Sequence, residues 1–303
     1  MTTESPRTAS PRTPVRLVAV DMDGTFLDRA STYDRARFDA IHARLRAAGV
    51  HFVVASGNQY WQLRTFFEAV PDVHYVAENG ALIGTRDEIL RVTPLPAAAV
   101  RDTLALLAGE PDILTSVCAV RSAYVRADAP AWFVTEMRRY NTRLELIASW
   151  DQLSGTAEDD VCKLTLECPP AATAHFLDHL GARLPDGIAA TSSGHGSIDL
   201  IGADATKGTA LAWLGERLGV APAQMLAFGD GGNDVEMLDL VGHAVAMGNA
   251  PDAVKARADV VAARNDEAGV LAHLEALLDG GAFGVDPTDG PDPRASGLGN
   301  ISG

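Results

Sequence analysis

The sequence predicts an α/β protein in which a parallel sheet covered by helices is interrupted by an inserted α+β domain. Toward both ends of the chain, apolar runs bounded by turn residues alternate with amphipathic segments, which is typical of a parallel sheet with helical connections. Between residues 85 and 191 this alternation is lost, and strand-like pieces mix with helices. The chain has 303 residues, enough for one large core or two medium ones.

The first half of the main domain is predicted at residues 15–84. It begins with an apolar strand, a helix that ends before Gly49, a second strand and a second helix, and it closes with a hairpin. These elements are expected at residues 15–20, 33–48, 50–55, 60–69 and 78–84. Aromatic residues on the second helix have helical spacing, which favours core packing over a stacking surface for a sugar. They are Tyr60, Trp61, Phe66 and Phe67.

The insert is predicted at residues 85–191 and the second half of the main domain at residues 192–278. Insert strands are expected near 122–125 and 161–166, and insert helices near 97–107, 132–140 and 172–184. The regular alternation then resumes with a strand at 198–201, a helix at 207–218, a strand at 225–228 and a helix at 233–240. Both ends of the chain lack a periodic apolar pattern, so residues 1–14 and 279–303 are predicted to be a disordered leader and tail.

Composition limits the partners that this chain is expected to have. The formal net charge of −15 argues against nucleic acid, because such binding depends on clustered Lys and Arg. No stretch approaches the roughly 20 apolar residues of a membrane span, and the first residues contain no apolar signal region. Cys118, Cys162 and Cys168 lack the paired spacing of a zinc site, which predicts buried, reduced thiols in a cytoplasmic protein.

Two acidic residues, Asp21 and Asp23, directly follow the first predicted strand. In an extended chain their side chains would leave on the same side, at the carboxyl end of a strand, where open parallel sheets bind ligands. Two adjacent carboxylates repel each other unless they share a proton or a divalent cation. Taken alone, the segment is better explained as an Asp-Gly turn, which is common at strand ends.

Two further segments carry groups suited to binding phosphate. Ser56 and Gly57 follow the second strand and lead into a helix, so a hydroxyl and free backbone N–H groups meet there. Lys207 begins a later helix, where a positive charge opposes the helix dipole, and it is one of only three lysines against 22 arginines. The simpler explanations are a helix cap for the first segment and a solvated surface lysine for the second.

A fourth segment places Asp230, Asn233 and Asp234 after a third strand, among glycines that allow close approach to the backbone. The four segments follow one another in order, which makes the set far more specific than any one of them. Carboxylates, substrate phosphate and water are the ligands that Mg²⁺ prefers, and a carboxylate can serve as the nucleophile in phosphoryl transfer. The set therefore predicts magnesium-dependent phosphoryl chemistry on a small phosphate ester.

These four motifs resemble those of the haloacid dehalogenase superfamily of phosphohydrolases. Residues 21–27, 53–60, 77–81 and 246–250 look, more closely, like the Cof-type sugar phosphatases of that superfamily. The resemblance extends over most of residues 15–278. It implies a Rossmann-like parallel-sheet core with a mobile α+β cap, in agreement with the split domain. It also implies hydrolysis of small phosphomonoesters, sugar phosphates above all, with Mg²⁺ as cofactor.

The resemblance further implies a role for each motif residue. Asp21 would be the nucleophile that forms an aspartyl phosphate, and Asp23 would protonate the leaving alcohol and later activate water. Mg²⁺ would be held by Asp21, the backbone carbonyl of Asp23, Asp230 and, through water, Asp234. The phosphoryl oxygens would be bound by Ser56, the Gly57 backbone, Lys207 and Asn233.

Some residues near the motifs depart from the family pattern or are open to two interpretations. Met22 replaces a frequent Leu or Ile, a change that is expected to leave catalysis unaffected. Asn58 replaces a frequent Arg, which is expected to alter contacts to the phosphate or the sugar, and so substrate choice rather than catalysis. His195 lies where the insert returns to the main domain. Two interpretations stay open for it: it faces the substrate, or it is simply part of a polar loop. Glu78 and Asn79 would line the cleft without a catalytic role.

Two other functions stay open at this point. A phosphomutase of the same fold would return the phosphoryl group to the substrate instead of to water. A phospho-accepting signalling module similar to a receiver domain would keep the aspartyl phosphate as a signal, but Asp23 and the large insert disfavour it. A kinase is not expected, because the residues before Lys207 do not form a GxxxxGK[ST] loop. The chain is expected to be a monomer or a small homo-oligomer.

Overall fold

The computed structural model describes residues 13–110, 112–153, 160–169, 179, 181–194 and 197–283. Several predictions lie outside these residues: most of the leader and of the tail, most of the helix at 172–184, and the two interpretations of His195. In chain order the strands are β1 (Leu17–Val20), β2 (His51–Ala55), β3 (Val73–Ala77), β4 (Leu82–Gly84), β5 (Ile89–Val92), β6 (Leu114–Ala119), β7 (Ala123–Arg126), β8 (Leu144–Ile147), β9 (Val161–Glu167), β10 (Ile188–Gly194), β11 (Ser197–Gly202), β12 (Met225–Gly229), β13 (His243–Ala246) and β14 (Val260–Val261). Helices among the described residues are α1 (Arg35–Ala47), α2 (Tyr60–Phe66), α3 (Ala97–Leu107), α4 (Ala131–Tyr140), α5 (Lys207–Leu218), α6 (Val235–Leu240), α7 (Asp252–Lys255) and α8 (Gly269–Asp279).

Eight strands form the main sheet, in the order β14-β13-β12-β1-β2-β3-β4-β5. The six strands from β14 to β3 run parallel, and β4 and β5 extend the sheet antiparallel through the predicted hairpin. Helices connect the parallel strands, as a parallel arrangement requires. The prediction of an α/β fold with a parallel-sheet core is therefore confirmed.

The second sheet has six strands in the order β10-β11-β9-β6-β7-β8, all antiparallel except for the β7–β8 pair. Its strands all lie between β5 and α5 in the chain, as expected for an α+β insert. No helix among the described residues is both long enough and apolar enough to cross a bilayer.

Two strands belong to a different sheet than the sequence predicted. The segment at 198–201 was expected to open the second half of the main domain, yet β11 pairs with β9 and β10 of the second sheet. Four consecutive buried residues are typical of a central strand in either sheet, so the pattern does not say which one. Conversely, β5 was assigned to the insert but pairs with β4 of the main sheet. We therefore propose domain boundaries near residues 93 and 203.

The main sheet is buried on both faces, which explains the apolar runs of its strands. Alternate residues of β1 and β2 contribute to separate cores, with Val18 and Phe52 in one and Leu17 and Val53 in the other. Tyr60 and Phe67 are buried in the first core and Trp61 and Phe66 pack against it, as core packing required. Cys118, Cys162 and Cys168 are buried thiols that form no disulfide bond with one another, as predicted.

One turn of the main sheet lies beside both places where the chain passes between the sheets. This turn, residues 78–80, joins β3 to β4. On the outgoing side, Thr93 donates its backbone N–H to the carbonyl of Ala81, which follows the turn. On the returning side, Gly80 has a positive φ of 109°, and a Cβ there would clash with the carbonyl oxygen of Thr206. Glycine is therefore required where the returning chain touches the turn.

Both sheets also meet along α2. Gln59 accepts a hydrogen bond from the backbone N–H of Arg143 and donates one to its carbonyl oxygen. Trp61 donates its indole N–H to the carbonyl of Val120 at 2.8 Å, and the Arg143 guanidinium stacks 3.3 Å from its ring centre. The helix that follows the Ser56 motif is thus in direct contact with the insert.

Buried histidines predict that this fold loses stability in mild acid. His243 and His273 stack at 6.0 Å inside the main domain, and burial lowers the pKa of His273 to about 4. In the unfolded chain His273 takes up a proton below about pH 6.5, whereas in the folded chain it does so only near pH 4. The free energy of unfolding therefore falls as the pH is lowered through this window. We expect His273→Phe to remove a loss of about 3 kcal/mol between pH 7 and 4. Urea unfolding at several pH values measures it, and an unchanged pH dependence in the variant contradicts it.

Candidate active site

The predicted motifs meet at the carboxyl edge of the main sheet. β1 lies between β12 and β2, and the three strands are parallel, so the loops after them are neighbours. Asp21 follows β1, Ser56 follows β2 and Asp230 follows β12. The backbone N–H of Asp21 bonds the carbonyl of Phe228 in β12, which fixes the first loop against the fourth motif.

A buried lysine joins two of the predicted carboxylates. Thr206 caps α5 by accepting a hydrogen bond from the backbone N–H of Thr209, and this places Lys207 in the first turn. The Lys207 Nζ donates to Asp21 Oδ1 at 2.7 Å and to Asp234 Oδ1 at 2.6 Å. All three side chains are buried. The lysine that opposes its helix dipole is therefore held by two acidic partners.

A third carboxylate, Asp230, completes the cluster. Asp21, Asp230 and Asp234 each bring a carboxylate oxygen within 4.8 Å of the others. Thr25 donates its hydroxyl to Asp230 Oδ1 at 2.8 Å, and Asp234 Oδ2 accepts the backbone N–H groups of Asp230 and Gly231. Three acidic oxygens at this spacing fit a small cation with oxygen ligands such as Mg²⁺.

The charges of the cluster shift the pKa values of its members. Burial and the nearby Asp234 raise the pKa of Asp21 well above its ordinary value, and Lys207 offsets only part of the rise. Burial also raises the pKa of Asp230, to about 6. Although burial opposes it, the two carboxylates raise the pKa of Lys207. One ammonium thus faces three carboxylates. When all three are ionised, the cluster carries an excess of negative charge that a divalent cation would balance.

Asp23 lies outside this carboxylate cluster. Its side chain is exposed, and its Oδ2 accepts a hydrogen bond from the Asn58 amide at 2.7 Å. The expectation that Asp21 and Asp23 point the same way assumed extended chain, but β1 ends at Val20 and a tight turn follows. A Cβ at Gly24 in this turn would clash with the Asp230 carboxylate, so the two acidic loops pack closely.

The remaining predicted residues surround the same edge. Ser56 is buried, and its hydroxyl accepts the backbone N–H of Asn58 at 3.1 Å. Asn233 is half-buried, and its Nδ2 donates to Asn79 Oδ1 at 3.0 Å. The same Asn79 side chain lies against Gly57, where a Cβ would come within 3.0 Å of its Oδ1. Asn79 therefore touches both Gly57 and Asn233.

Three residues beside the cluster, Thr25, Asn79 and Asn249, were not predicted from the sequence to be catalytic or to bind phosphate or metal. Thr25 and Asn249 both contact the Asp230 carboxylate, and Asn249 also bonds the carbonyl of Gly24. Asn79 was expected only to line the cleft. Thr25, Asn79 and Asn249 all lie in segments that resemble the Cof-type phosphatases, which was the one available signal. The contact of Asn79 depends on its left-handed backbone, at φ 57°, which the sequence pattern does not reveal.

Comparison with known proteins agrees with this geometry. The family model described as haloacid dehalogenase-like hydrolase matches residues 18–274. The 5-amino-6-(5-phospho-D-ribitylamino)uracil phosphatase YbjI of Escherichia coli is 36% identical over 265 residues, which are 87% of this chain and 96% of that protein. The pyridoxal phosphate phosphatase YbhA of the same organism is 28% identical over 263 residues, covering 82% and 94%.

A solved structure supports the same assignment. The crystal structure of SMU.1108c from Streptococcus mutans superposes with a TM-score of 0.81 at 33% identity, covering 88% of this chain and 99% of that one. Sequence and structure thus agree over nearly the whole described chain. This protein belongs to the haloacid dehalogenase-like hydrolase family.

Proposed function

We propose that this phosphatase hydrolyses small phosphomonoesters, sugar phosphates foremost, through a phosphoryl group carried transiently by Asp21, with Mg²⁺ as cofactor. The observation that carries the proposal is the buried carboxylate of Asp21, held by Lys207 and flanked by Asp230 and Asp234. A carboxylate in this position is shielded from water and oriented, which a nucleophile for in-line phosphoryl transfer needs.

The proposed first step forms a bond from Asp21 to phosphorus. Lys207 holds Asp21 Oδ1, so Oδ2 is the oxygen proposed to attack. As this bond forms, the bond from phosphorus to the ester oxygen breaks, and Asp23 gives that oxygen a proton, so an alcohol leaves. The exposed position of the Asp23 carboxyl, beside Asn58, suits a group that must meet substrate and solvent.

The proposed second step returns the enzyme to its starting state. Asp23, now ionised, takes a proton from a water molecule whose oxygen attacks phosphorus. The bond between phosphorus and Asp21 breaks, inorganic phosphate leaves, and the carboxylate of Asp21 is regenerated. Asp23 then carries a proton again. One residue thus serves as acid and base in turn, as acid–base catalysis allows.

Four groups are proposed to bind the phosphoryl oxygens during both steps. They are the Ser56 hydroxyl, the Gly57 backbone N–H, the Lys207 ammonium and the Asn233 amide. Their positions around one edge of the main sheet support this, because donors from separate loops can contact different oxygens of the same group.

The carboxylates of Asp21, Asp230 and Asp234 and the backbone carbonyl of Asp23 are proposed to hold Mg²⁺. The fit rests on the three carboxylate oxygens within 4.8 Å and on the excess negative charge of the cluster. When bound, Mg²⁺ would neutralise charge on the carboxylates and on the phosphoryl group. Asp234 already bonds Lys207 and two backbone N–H groups, so a contact through water is proposed for it.

The substrate class is supported by the relatives rather than by the cluster. YbjI is named for a phosphorylated ribityl compound and YbhA for pyridoxal phosphate, both small phosphomonoesters. Both relatives are named phosphatases, which transfer the phosphoryl group to water and not back to the substrate. These names favour hydrolysis of small phosphate esters by this chain over the mutase alternative.

Asp21→Asn should lower the rate of phosphate release by roughly 10³-fold or more, because an amide oxygen is a poor nucleophile. Purified protein with Mg²⁺ would be screened against sugar phosphates, nucleotides and phosphorylated cofactors. Asp39→Asn, a matched change of an exposed carboxylate on α1, should leave the rate unchanged. If Asp21→Asn released phosphate at the wild-type rate, the proposed mechanism would be wrong.

Mg²⁺ should raise the melting temperature of the wild-type protein, because a cation that binds only the folded state stabilises it. Asp230→Asn removes one of the three carboxylates, so most of this shift should disappear. Differential scanning fluorimetry with MgCl₂, and with KCl at equal ionic strength, measures it without any turnover. An equal shift in Asp230→Asn would place the cation elsewhere.

A further inference from the structure

A buried ion pair of the second sheet contacts the loops of the active site. Lys163 lies on β9 and Asp199 on the neighbouring β11, and both are almost fully buried. The Lys163 Nζ is 3.0 Å from Asp199 Oδ2. Each buried charge loses its hydration, which is strongly unfavourable, so simple adhesion between two domains does not account for a buried pair of this kind. Its other contacts indicate a use.

Asp199 bonds a residue of the main domain. Its Oδ2 accepts a hydrogen bond from Asn79 Nδ2 at 2.7 Å, and its Oδ1 accepts one from the Thr165 hydroxyl at 2.8 Å. Asn79 lies in the turn after β3, where a left-handed backbone conformation turns its side chain toward the second sheet. The backbone N–H of Asn79 bonds the carbonyl of Ser56, so the turn is fixed to the second motif as well.

The chemistry of these groups fixes the direction of every hydrogen bond from Asp199 to Asn233. An ionised carboxylate only accepts, so Asn79 must turn its NH₂ group toward Asp199. The carbonyl oxygen of Asn79 then faces Asn233. Asn233 donates its own NH₂ group to this oxygen at 3.0 Å. Asp199 thereby sets the orientation of an amide that is proposed to bind the phosphoryl group.

The lysine of the pair supports the same arrangement. Lys163 Nζ donates to the carbonyl oxygen of Gly57 at 2.8 Å, next to the backbone N–H groups of the second motif. It also lies 3.8 Å from the buried carboxylate of Glu78, which precedes Asn79. One cation of the second sheet thus balances Asp199 and holds the loop against which Asn79 packs.

We propose that Asp199 is a positioning residue for phosphate binding, acting from the second sheet through Asn79 on Asn233. The proposal rests on the proposed function of Asn233. Asp199 does not touch the substrate; it determines which end of the Asn233 amide faces Asn79 and therefore where the remaining N–H of that amide points. The phosphate site of the main domain is then complete only with the second sheet in place.

Asp199→Leu tests the direction of this chain of amides. Leucine has a shape similar to that of aspartate but no acceptor, so the Asn79 NH₂ group loses its partner. An asparagine at 199 would be less decisive, because its oxygen could still accept from Lys163 and Asn79 while its NH₂ group turned to the Thr165 hydroxyl. In Asp199→Leu, Asn79 is free to turn around, and so is Asn233. We expect kcat/KM to fall by roughly 10–100-fold, mainly through a higher KM, and inorganic phosphate to inhibit more weakly by a similar factor.

A double-mutant cycle with Asn233→Ala separates positioning from stability. If Asp199 acts through Asn233, Asp199→Leu should change kcat/KM by only about twofold in the Asn233→Ala background. Asn79→Gly serves as a second variant, because glycine adopts the left-handed backbone conformation and removes the link without changing the partners of Lys163. It should match Asp199→Leu in both backgrounds. Equal losses with and without Asn233 would overturn the proposal.

Two further measurements keep the outcomes distinct. Asp128→Leu, a matched change of an exposed carboxylate in the insert, should leave kcat/KM unchanged. Isothermal titration of inorganic phosphate, with Mg²⁺ present, repeats the cycle without turnover. If the wild-type protein releases no phosphate from any ester, the proposed function fails, whereas phosphate binding that is insensitive to Asp199→Leu refutes the positioning role alone.

Discussion

The Lys207 ammonium, held between Asp21 and Asp234, is the interaction on which the site depends. Three carboxylates that approach one another in a buried place would take up protons or separate without a nearby cation. Lys207 reaches them because Thr206 begins α5 at the correct residue, and α5 itself packs on the main sheet through Leu211 and Leu214. The packing of one helix thus fixes the charge balance of the site, and the negative charge left over makes it suitable for a divalent cation and a phosphoryl group.

Much of the fold and of the site could be predicted, because both depend on local order along the chain. Asp21, Ser56 and Asp230 each follow an apolar strand, and parallel neighbouring strands necessarily bring such residues to one edge. The sheet to which β11 belongs could not be predicted, since four buried residues in a row fit the middle of any sheet. Asp199 lies in that run, where it reads as one polar residue among apolar ones. Its use became visible only with the left-handed turn at Asn79.

The two sheets contribute to the site in different ways. The main sheet supplies groups that are oriented by strand ends and helix starts, so its chemistry follows from secondary structure. The second sheet supplies Lys163 and Asp199, whose effect passes through hydrogen bonds with a fixed donor and acceptor sense. Such a series of hydrogen bonds fixes the orientation of each amide as well as its position, because one end of an amide donates and the other accepts. Amide orientation, and not only proximity, therefore couples the domains.

The turn at residues 78–80 has a consequence for how such proteins can be rebuilt. Because Thr93 on the way out and Thr206 on the way back both lie against this one turn, the insert leaves and re-enters the main domain at a single place. Chain segments whose ends lie close together are the ones that tolerate exchange. A different domain grafted between residues 93 and 203 would leave the strand order of the main sheet and its acidic cluster intact, while discarding Lys163 and Asp199. Such a chimera would separate the chemistry that the main domain carries alone from the contribution that it receives from its neighbour.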